Sequence, residues 1–563
     1  MTGSPAGAAG PDGTVPVHRR LAEAFVAEGV DTVFALMGDG NKMWLTDLQT
    51  SLGVRVVHCR HEGAALAMAD GYSRATGRLG VCAVTYGPGV SQLSTSMLVA
   101  AKHGTPLVVF AAGIDSSLRD TDAHLDVDER RLLEAAGAKV WQVAEGGSPA
   151  DVVHRAFYDA RTAGRPVAVL APVDLQERAV PPGCAERTGP IPYRSARPVP
   201  PDADLADAAD ILAASARPLV LAGRGAVLAG ARAEVQRLAA RLGAAVATSF
   251  GAKGWLDDHP RSLGNAGGFA LSAAREIMNR ADCVIAVGAR LNDHTADHGR
   301  LFPNARIVQI DVRPVPPAAG AATPALYLCG DAAATLQRME AMWERGDLPA
   351  PAGPGWGPGE LPPAGHDFRQ AQIESEPVVT TDGRMDPRVL MMTLDRLLPP
   401  DCTVVIGGGH FMAFAAQYLS NPGGRRFEMV FDFMTTGQAV PASIGAAAGT
   451  TDRVVVAFEG DASFLMHVQE IETAARSGIA PLIVVVNDGA LGAEYHKLRW
   501  LGRDPAPALA CPPDLGRVAD ALGGVGRRVT RPAELEDLMT WYDPSRGPHV
   551  VDCAVSRDVV GPI

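Results

Sequence analysis

Cysteine is scarce and scattered in this chain. The eight cysteines among 563 residues stand singly, without a CxxC pair, so neither a zinc site nor a disulfide framework is indicated. The sequence also lacks an uncharged apolar run of the roughly 20 residues that a membrane span needs. Its start, Met1–Pro16, lacks the basic-then-apolar pattern of a signal peptide. These absences predict a soluble protein of the cytoplasm.

An excess of positive charge is missing as well. Lys and Arg number 51 against 63 Asp and Glu, which gives a formal net charge of −12. Nucleic acid and anionic membrane surfaces are therefore not expected as its main partners. The chain is rich instead in small and apolar residues, with 61 glycines and 47% hydrophobic residues. That composition is typical of buried parallel sheets joined by short turns.

Short apolar strand candidates alternate with helical patterns in three blocks. This pattern predicts an α/β fold with three doubly wound parallel-sheet domains. The domains are expected at residues 17–180, 202–342 and 386–555. Residues 1–16 are expected to be a disordered tail and residues 346–385 a linker, of which the stretch 346–363, dense in proline and glycine, is expected to be extended.

The third block carries the most informative motif. The strand candidate Val454–Phe458 ends near Gly460-Asp461, and the strand Leu482–Val486 ends in Asn487-Asp488, with a candidate helix, Phe464–Arg476, between them. Because consecutive strand ends share one edge of an open α/β sheet, the two aspartates are expected to lie side by side. Mg²⁺ prefers carboxylate oxygens together with cofactor phosphates. The motif therefore predicts a metal–diphosphate anchor; the alternative is a plain βαβ unit with a turn aspartate.

The spacing of this motif resembles the signature of thiamine diphosphate (ThDP) enzymes, which is Gly-Asp-Gly, a helix and a strand, then Asn-Asn. The segment Ser463–Ile471 is similar to the helix that follows the motif in acetolactate synthases. This chain departs twice, because Ala462 replaces the third glycine and Asp488 replaces the second asparagine. The resemblance implies that Asp461, Asp488 and the carbonyl oxygen of Ala490 are ligands of Mg²⁺.

A second stretch similar to the same family begins at His61-Glu62, after the strand candidate Val54–Val57, and runs on to Gly77. It resembles the family's glutamate-bearing helix, which implies that Glu62 is catalytic. Such a carboxyl is bonded to the aminopyrimidine ring of the cofactor and activates its thiazolium carbon. A raised pKa in a partly desolvated site suits this proton transfer. A glutamate that only favours the helix dipole is the alternative.

The turn Gly87-Pro88-Gly89 lets the backbone come close to a ligand, and related enzymes have the same turn beside the cofactor. A mere strand–helix turn is the alternative. Gln92 stands where these enzymes usually have an asparagine, and it is a candidate for substrate contact. Gly409-His410 stands where acetolactate synthases have Gly-Gln-His, so His410 is expected to face the aminopyrimidine or the substrate. A structural histidine is equally compatible.

The helix candidate Pro441–Ala446 matches a helix of the family's third domain. Five positions earlier the family has a bulky apolar residue that supports the cofactor in a bent conformation. Counting back from Pro441 places Thr436 there, followed by Gly437. The small polar threonine is a departure that the sequence does not explain. In full, the residues expected to bind the cofactor are Gly87, Gly89, Gly409, His410, Thr436, Gly437, Gly460, Asp461, Ala462, Ser463 and Asp488.

Candidate substrate contacts are polar residues at positions that line the pocket in related enzymes. Asn41 lies in a loop after the first strand, and Glu494, His496 and Lys497 lie on the helix that follows the metal motif. Acetolactate synthases have a tryptophan about where Lys497 stands, so the pocket is expected to be more polar here. A solvated charged helix face is the alternative.

The resemblance implies a ThDP- and Mg²⁺-dependent carboligase that is similar to the large, catalytic subunit of acetolactate synthase. Such an enzyme decarboxylates a 2-oxo acid such as pyruvate and adds the acyl unit to a second carbonyl compound. A 2-oxo acid decarboxylase or C–C lyase of the same superfamily is an alternative. A non-catalytic scaffold or regulatory subunit is another, motivated by Ala462, Asp488 and Thr436, although the presence of Glu62 and Asp461 argues against it.

Two further expectations follow from the resemblance. In the family the glutamate and the diphosphate site come from different subunits, which implies a homodimer or homotetramer with active sites at the interface. The central block has the glycine-rich segments Gly223–Gly225, Gly251–Gly254 and Gly288–Asp293, related to segments that bind FAD in acetolactate synthases. FAD, another nucleotide and no ligand all stay open there. A nicotinamide-dependent oxidoreductase is disfavoured, because no GxGxxG fingerprint is present.

Overall fold

Three six-stranded sheets follow one another along the chain, and every strand pair within them is parallel. The computed structural model describes residues 14–180, 189–194, 196–313, 315 and 322–562. The predicted class, α/β with three doubly wound parallel sheets, is confirmed. The first and third sheets have the same order when their strands are numbered within each sheet, 2-1-3-4-6-5.

The first sheet consists of strands Thr32–Ala35, Arg55–His58, Gly80–Val84, Leu107–Gly113, Lys139–Gln142 and Pro166–Pro172. Its helices are Val17–Ala27, Lys42–Thr46, Glu62–Thr76, Pro88–Ser91, Ser94–His103, Glu129–Ala135, Pro149–Ala163 and Val173–Gln176. Val15–Pro16 pairs antiparallel with Ala179–Val180. Two residues of the expected tail are thus part of the fold, and residues 1–13 lie outside the described part of the chain.

The central sheet consists of strands Pro218–Ala222, Ala245–Thr248, Ser262–Asn265, Cys283–Val287, Arg306–Asp311 and Leu326–Cys329. Its helices are Asp202–Ala213, Arg224–Leu228, Arg232–Leu242, Ser272–Asn279 and Ala332–Arg345. The strand order 3-2-1-4-5-6 within this sheet places the topological switch point between Pro218–Ala222 and Cys283–Val287. Ligands of open α/β sheets bind preferentially at such a point.

The third sheet consists of strands Thr403–Ile406, Arg426–Met429, Val455–Gly460, Leu482–Asn487, Val525–Val529 and His549–Ala554. Its helices are Pro387–Leu397, Phe411–Tyr418, Ala439–Gly449, Asp461–Met466, Glu470–Arg476, Gly492–Trp500, Leu515–Ala521 and Leu538–Trp541. The single helix expected at Phe464–Arg476 is therefore two. The chain leaves the helical conformation at His467, whose ring is hydrogen-bonded through Nδ1 to the carbonyl oxygen of Gly437 at 2.8 Å.

Short helical turns complete the described structure, at Asp47–Ser51, Ser116–Leu118, Phe250–Ala252, Gly267–Phe269, Asp432–Met434, Ala506–Ala508, Pro532–Leu535 and Pro544–Arg546. The expected linker, residues 346–385, contains the helix Phe368–Ser375, which follows the stretch 346–363 that was expected to be extended. Its Trp356 is buried and donates a hydrogen bond from Nε1 to the carbonyl oxygen of Pro218 at 2.7 Å. The segment therefore packs against the central sheet.

A close helix crossing joins the first and third sheets. The helix Glu62–Thr76 lies against Ala439–Gly449 so tightly that a Cβ atom at Gly71 would stand 2.0 Å from the carbonyl oxygen of Ala442. A Cβ atom at Gly445 would stand 1.8 Å from the carbonyl oxygen of Met68. Glycine is required at both positions because the backbones touch.

In the described part of the chain, none of the helices combines the length and apolar character needed to cross a membrane.

Candidate cofactor and metal site

Asp461 and Asp488 meet at the carboxyl edge of the third sheet. Their strands, Val455–Gly460 and Leu482–Asn487, are hydrogen-bonded neighbours, with Gly460 opposite Val486. Both aspartates line one cleft. The placement follows the rule for parallel strand ends that predicted it.

The two carboxyl groups interact electrostatically. Burial raises the pKa of Asp461 to about 6, and burial together with the neighbouring Asp461 charge raises the pKa of Asp488 to about 7. Oδ1 of Asp488 accepts a hydrogen bond from the N–H of Ala490 at 2.9 Å. Oδ2 of Asp461 is buried and has no hydrogen-bond partner among the described residues. A divalent cation would satisfy that oxygen and relieve the repulsion, so the residues fit Mg²⁺.

The protein supplies only part of a coordination shell here. Within the described ranges, no group of three or more His, Cys, Asp and Glu side chains is placed to hold a metal ion. The cleft offers the two carboxylates, and Ala490 lines it beside them. Mg²⁺ is commonly held by one or two carboxylates together with phosphate oxygens and water, so this donor set suits a metal shared with a diphosphate group.

Glycines at positions 492 and 408 allow neighbouring segments of the third domain to pack closely around the two aspartates. A Cβ atom at Gly492, where the helix Gly492–Trp500 begins, would stand 2.6 Å from Oδ2 of Asp488 and 2.9 Å from Nδ1 of His410. On the opposite wall, a Cβ atom at Gly408 would stand 2.2 Å from the carbonyl oxygen of Thr435. Larger side chains at these two positions would displace Asp488, His410 or the backbone of Thr435.

His410 lines the cleft as a neutral imidazole. Its Nε2 accepts a hydrogen bond from the N–H of Gly561 at 3.0 Å, which leaves the ring proton on Nδ1. Burial, with a smaller contribution from His496, lowers the pKa of His410 to about 3. The histidine therefore faces the Asp488 side of the cleft as a hydrogen-bond donor without a positive charge.

The cleft gathers most of the residues that were expected to bind the cofactor through the third domain. Those that line it are Gly409, His410, Thr436, Gly460, Asp461, Ala462, Ser463, Asp488 and Ala490, together with the candidate substrate contact Glu494. Gly437 follows Thr436 with a φ of +80°, a left-handed conformation that favours glycine.

The other candidate substrate contacts on the helix Gly492–Trp500 do not line the cleft. His496 is buried, its ring centroid is 4.8 Å from that of His410, and its Nε2 has no partner among the described residues. Nζ of Lys497 lies 3.8 Å from a carboxylate oxygen of Glu494, and both side chains are exposed. Glu494 and Lys497 therefore lie on an exposed, charged side of the helix, whereas His496 packs inward against His410.

The residues expected from the first domain form a separate group, and none of them lines the cleft. Glu62 is half-buried at the start of its helix. A Cβ atom at the next residue, Gly63, would stand 3.2 Å from the carbonyl oxygen of Gln92. Gly87 and Gly89 are buried in the turn that leads to Gln92. The start of this helix nevertheless approaches the third domain, since the ring centroid of His61 is 6.0 Å from that of His467.

Asn41 does not face a substrate in this structure. It is fully buried, its side-chain oxygen accepts a hydrogen bond from the N–H of Gly38 at 2.8 Å, and its side-chain nitrogen donates to the carbonyl oxygen of Leu36 at 3.0 Å. Both ends of the amide are used within its own loop. The residue holds the loop in shape.

Two residues that the sequence did not single out lie at the anchor. Glu459 is fully buried directly before Gly460, accepts a hydrogen bond from Oγ of Ser463 at 2.6 Å, and has a pKa raised by burial to about 7. A glutamate at the end of an apolar strand is visible in the sequence, so Glu459 could have been singled out as a candidate site residue. Met466 lines the cleft, and the hydroxyl of Thr436 donates to its sulfur at 3.3 Å. No local pattern indicates that contact.

At the switch point of the central sheet, the glycine turn at residues 223–225 packs against the turn at Gly288. The N–H of Gly225 donates to the carbonyl oxygen of Gly288 at 2.8 Å, and a Cβ atom at Gly223 would stand 2.2 Å from that oxygen. The guanidinium of Arg224 points away from the crevice, to the carbonyl oxygen of His103. The glycines at these positions are thus explained by the close packing of the two turns.

Comparison with known proteins matches all three sheets to family models. Residues 16–132 match the thiamine pyrophosphate enzyme N-terminal TPP binding domain, residues 205–339 the central domain, and residues 407–553 the C-terminal TPP binding domain. Each match covers most of one of the three sheets.

Curated relatives align along nearly the whole chain. The acetolactate synthase large subunit of Parasynechococcus marenigrum (strain WH8102) is 30% identical over 97% of this chain and 88% of its own length. The acetolactate synthase isozyme 2 large subunit of Escherichia coli (strain K12) is 29% identical over 95% of both chains. An acetolactate synthase of Mycobacterium bovis is 28% identical over 94% of this chain and 86% of its own.

Proposed function

This chain belongs to the family of thiamine diphosphate-dependent enzymes, and on that premise we propose that it is a carboligase. It would decarboxylate a 2-oxo acid such as pyruvate and transfer the acyl unit to a second carbonyl compound. The observation that carries the proposal is the Asp461–Asp488 pair, whose free buried oxygen lies in a cleft, in a chain similar to acetolactate synthases over almost all of its length.

The third-domain cleft would hold the cofactor by its diphosphate end. Asp461, Asp488 and the carbonyl oxygen of Ala490 would bind Mg²⁺, and His410 would donate a hydrogen bond from Nδ1. Bound ThDP would supply a nucleophilic carbon and an electron sink for loss of CO₂ from the 2-oxo acid. The protein's part is to position and orient these groups and to hold the proton that the reaction moves.

Glu62 is proposed to hold that proton against the pyrimidine ring of the cofactor. Glu62 does not line the Asp461 cleft of its own chain, and in the family that the chain resembles the glutamate comes from the partner subunit. We therefore propose a homodimer, or a tetramer built from such dimers. Exposed apolar side chains next to the cleft support this, since Phe433 is 53% and Met434 59% exposed.

The acceptor is proposed to be selected at the Glu494 side of the cleft. Glu494 contributes an exposed carboxylate to the lining, and its neighbour Ala493 adds little bulk. A carboxylate at this place favours a carbonyl acceptor with a hydroxyl or amino substituent over a purely aliphatic one.

Product analysis tests the carboligase proposal. The protein with ThDP and Mg²⁺ is given pyruvate and other 2-oxo acids, alone and with aldehyde or ketone acceptors, and the products are identified by mass spectrometry. A ligated product that disappears in Glu62→Gln is the expected result. Aldehyde and CO₂ without any ligated product would instead indicate the decarboxylase. Turnover that Glu62→Gln leaves intact would reject the proposed role of Glu62.

A further inference from the structure

Two arginine side chains converge on the loop that follows Asp488. Nη1 of Arg384 donates to the carbonyl oxygen of Asp488 at 3.4 Å, and Nη1 of Arg557 donates to the carbonyl oxygen of Gly489 at 3.4 Å. A Cβ atom at Gly489 would stand 3.6 and 3.5 Å from these two nitrogens. Both guanidinium groups therefore lie against the same glycine.

The two arginines are brought together from opposite ends of the third domain. Arg384 precedes its first helix, and Arg557 follows its last strand. A parallel bridge pairs Met385 with Val555, and the N–H of Ser556 donates to the carbonyl oxygen of Met385 at 2.8 Å. This pairing fixes the place from which each guanidinium reaches the loop.

Neither guanidinium is neutralised by an acidic side chain in the part of the chain that the structure describes. Neither Arg384 nor Arg557 forms an ion pair there, whereas the nearby Arg388 is paired with Asp386 at 2.7 Å. The carboxyl group on which both charges act is that of Asp488, whose pKa they lower against the opposing effects of burial and of Asp461. Two positive charges thus lie beside the Asp488 carboxyl group, at the loop that follows it.

We propose that Arg384 and Arg557 form an arginine clamp that offsets the charge of Asp488 and thereby strengthens diphosphate binding at the anchor. The inference rests on the proposed function, because it takes the diphosphate group of ThDP as the ligand. An aspartate at position 488 adds a negative charge beside an anionic group, where the resembling motif has a neutral asparagine. The clamp returns positive charge without occupying the cleft, since both guanidiniums are bonded to backbone carbonyl oxygens. The two arginines are positioning residues.

The clamp has opposite effects on anions and cations, which separates it from a merely structural role. In the double variant Arg384→Gln/Arg557→Gln, calorimetry should show diphosphate affinity, measured with ThDP and with inorganic pyrophosphate at fixed Mg²⁺, reduced about tenfold. The affinity for Mg²⁺ alone should rise several-fold, because two repelling charges are gone. A loss of affinity for both ligands would show that the arginines only hold the loop, and unchanged affinities would equally overturn the proposal.

A second experiment restores the charge balance at the loop after Asp488. Adding Asp488→Asn to the double variant should return most of the diphosphate affinity, and Arg384→Lys/Arg557→Lys should keep it. Arg453→Gln is the matched control, since Nη1 of Arg453 donates to the carbonyl oxygen of Gly424 at 3.5 Å, at the opposite edge of the same sheet. Thermal unfolding of each variant without ligand checks the fold. A wild-type protein that does not bind ThDP would reject the proposed function, while the pyrophosphate and Mg²⁺ measurements would still decide the clamp.

Discussion

The hydroxyl of Thr436 donates a hydrogen bond to the sulfur of Met466 over 3.3 Å, and both side chains line the cleft beside Asp461. A Cβ atom at Gly437 would stand 3.1 Å from Cβ of Met466. The methionine side chain therefore adds apolar surface to the cleft lining next to Thr436, which is small and polar. The contact gives a physical account of how an apolar surface is kept at that point.

Met466→Ala should weaken the binding of ThDP with Mg²⁺ on the order of tenfold, because a misplaced cofactor loses its supporting contacts. The side chain is 52% exposed, so the melting temperature of the unliganded protein should hardly change. Fluorescence titration with the cofactor measures the effect. Leu465→Ala is the control, since Leu465 is also exposed but does not line the cleft; equal losses in both variants would contradict the assignment.

The binding of Mg²⁺ should depend on pH between about 5 and 8. Asp461 and Asp488 have pKa values raised to about 6 and about 7, and a cation needs both carboxylates ionised. Calorimetric affinity for Mg²⁺ should therefore increase as the pH rises through this range. In Asp488→Asn, the affinity for Mg²⁺ should change only over the pH range in which Asp461 titrates. An affinity that is flat over this range would refute the electrostatic description of the pair.

The unliganded protein should respond to pH in the opposite sense. The folded-state pKa values of this pair lie above the unfolded value near 3.9, so the folded state binds more protons between about pH 4 and 7. Its stability should fall as pH rises through that window. The increase in melting temperature on adding Mg²⁺ should accordingly be larger at pH 8 than at pH 5.5. A larger increase in melting temperature at pH 5.5 than at pH 8 would contradict this prediction.

Gly492→Ala should damage the anchor without unfolding the chain. The added methyl group would stand 2.6 Å from Oδ2 of Asp488 and 2.9 Å from Nδ1 of His410. Displacing the carboxylate should reduce Mg²⁺ affinity about 10- to 100-fold, as measured by titration. Gly353→Ala is the control, because a Cβ atom there meets nothing within 4 Å, and its affinity should equal that of the wild type.

Mixing two inactive variants should restore activity. Glu62→Gln removes one half-site and Asp461→Asn the other, so a mixed dimer contains one intact site. Random exchange of subunits should return about a quarter of wild-type activity. Each variant incubated alone provides the baseline. A mixture that stays at that baseline, although sedimentation shows exchanged dimers, would place both groups in one chain's site.

The sheet edge at the metal motif could be predicted because it depends on local information. Apolar runs mark the strands, and the parallel-strand rule then places Asp461 and Asp488 together. The two carboxylates suggested a cation by residue type, whereas the carbonyl oxygen of Ala490 as a further ligand is implied only by the resemblance, and the ligand set stays a prediction. Even the departure at position 488 was visible in the sequence.

Contacts between distant parts of the chain could not be predicted in this way. The helix break at His467 depends on the carbonyl oxygen of Gly437, and the meeting of Arg384 with Arg557 depends on the bridge between Met385 and Val555. Asn41 was expected at a substrate, but its amide closes its own loop. Each case requires knowing which backbone groups lie within reach, which a pattern of residue types does not contain.

The helix crossing at Gly71 and Gly445 has a mechanical consequence in the proposed dimer. Because backbone touches backbone there, the helix that begins with Glu62 and the domain that carries Asp461 move as one body within a chain. Glu62 would serve one cleft of the dimer while Asp461 of the same chain belongs to the other. A rotation of one copy that withdraws a glutamate from the first cleft would therefore also shift the metal anchor of the second.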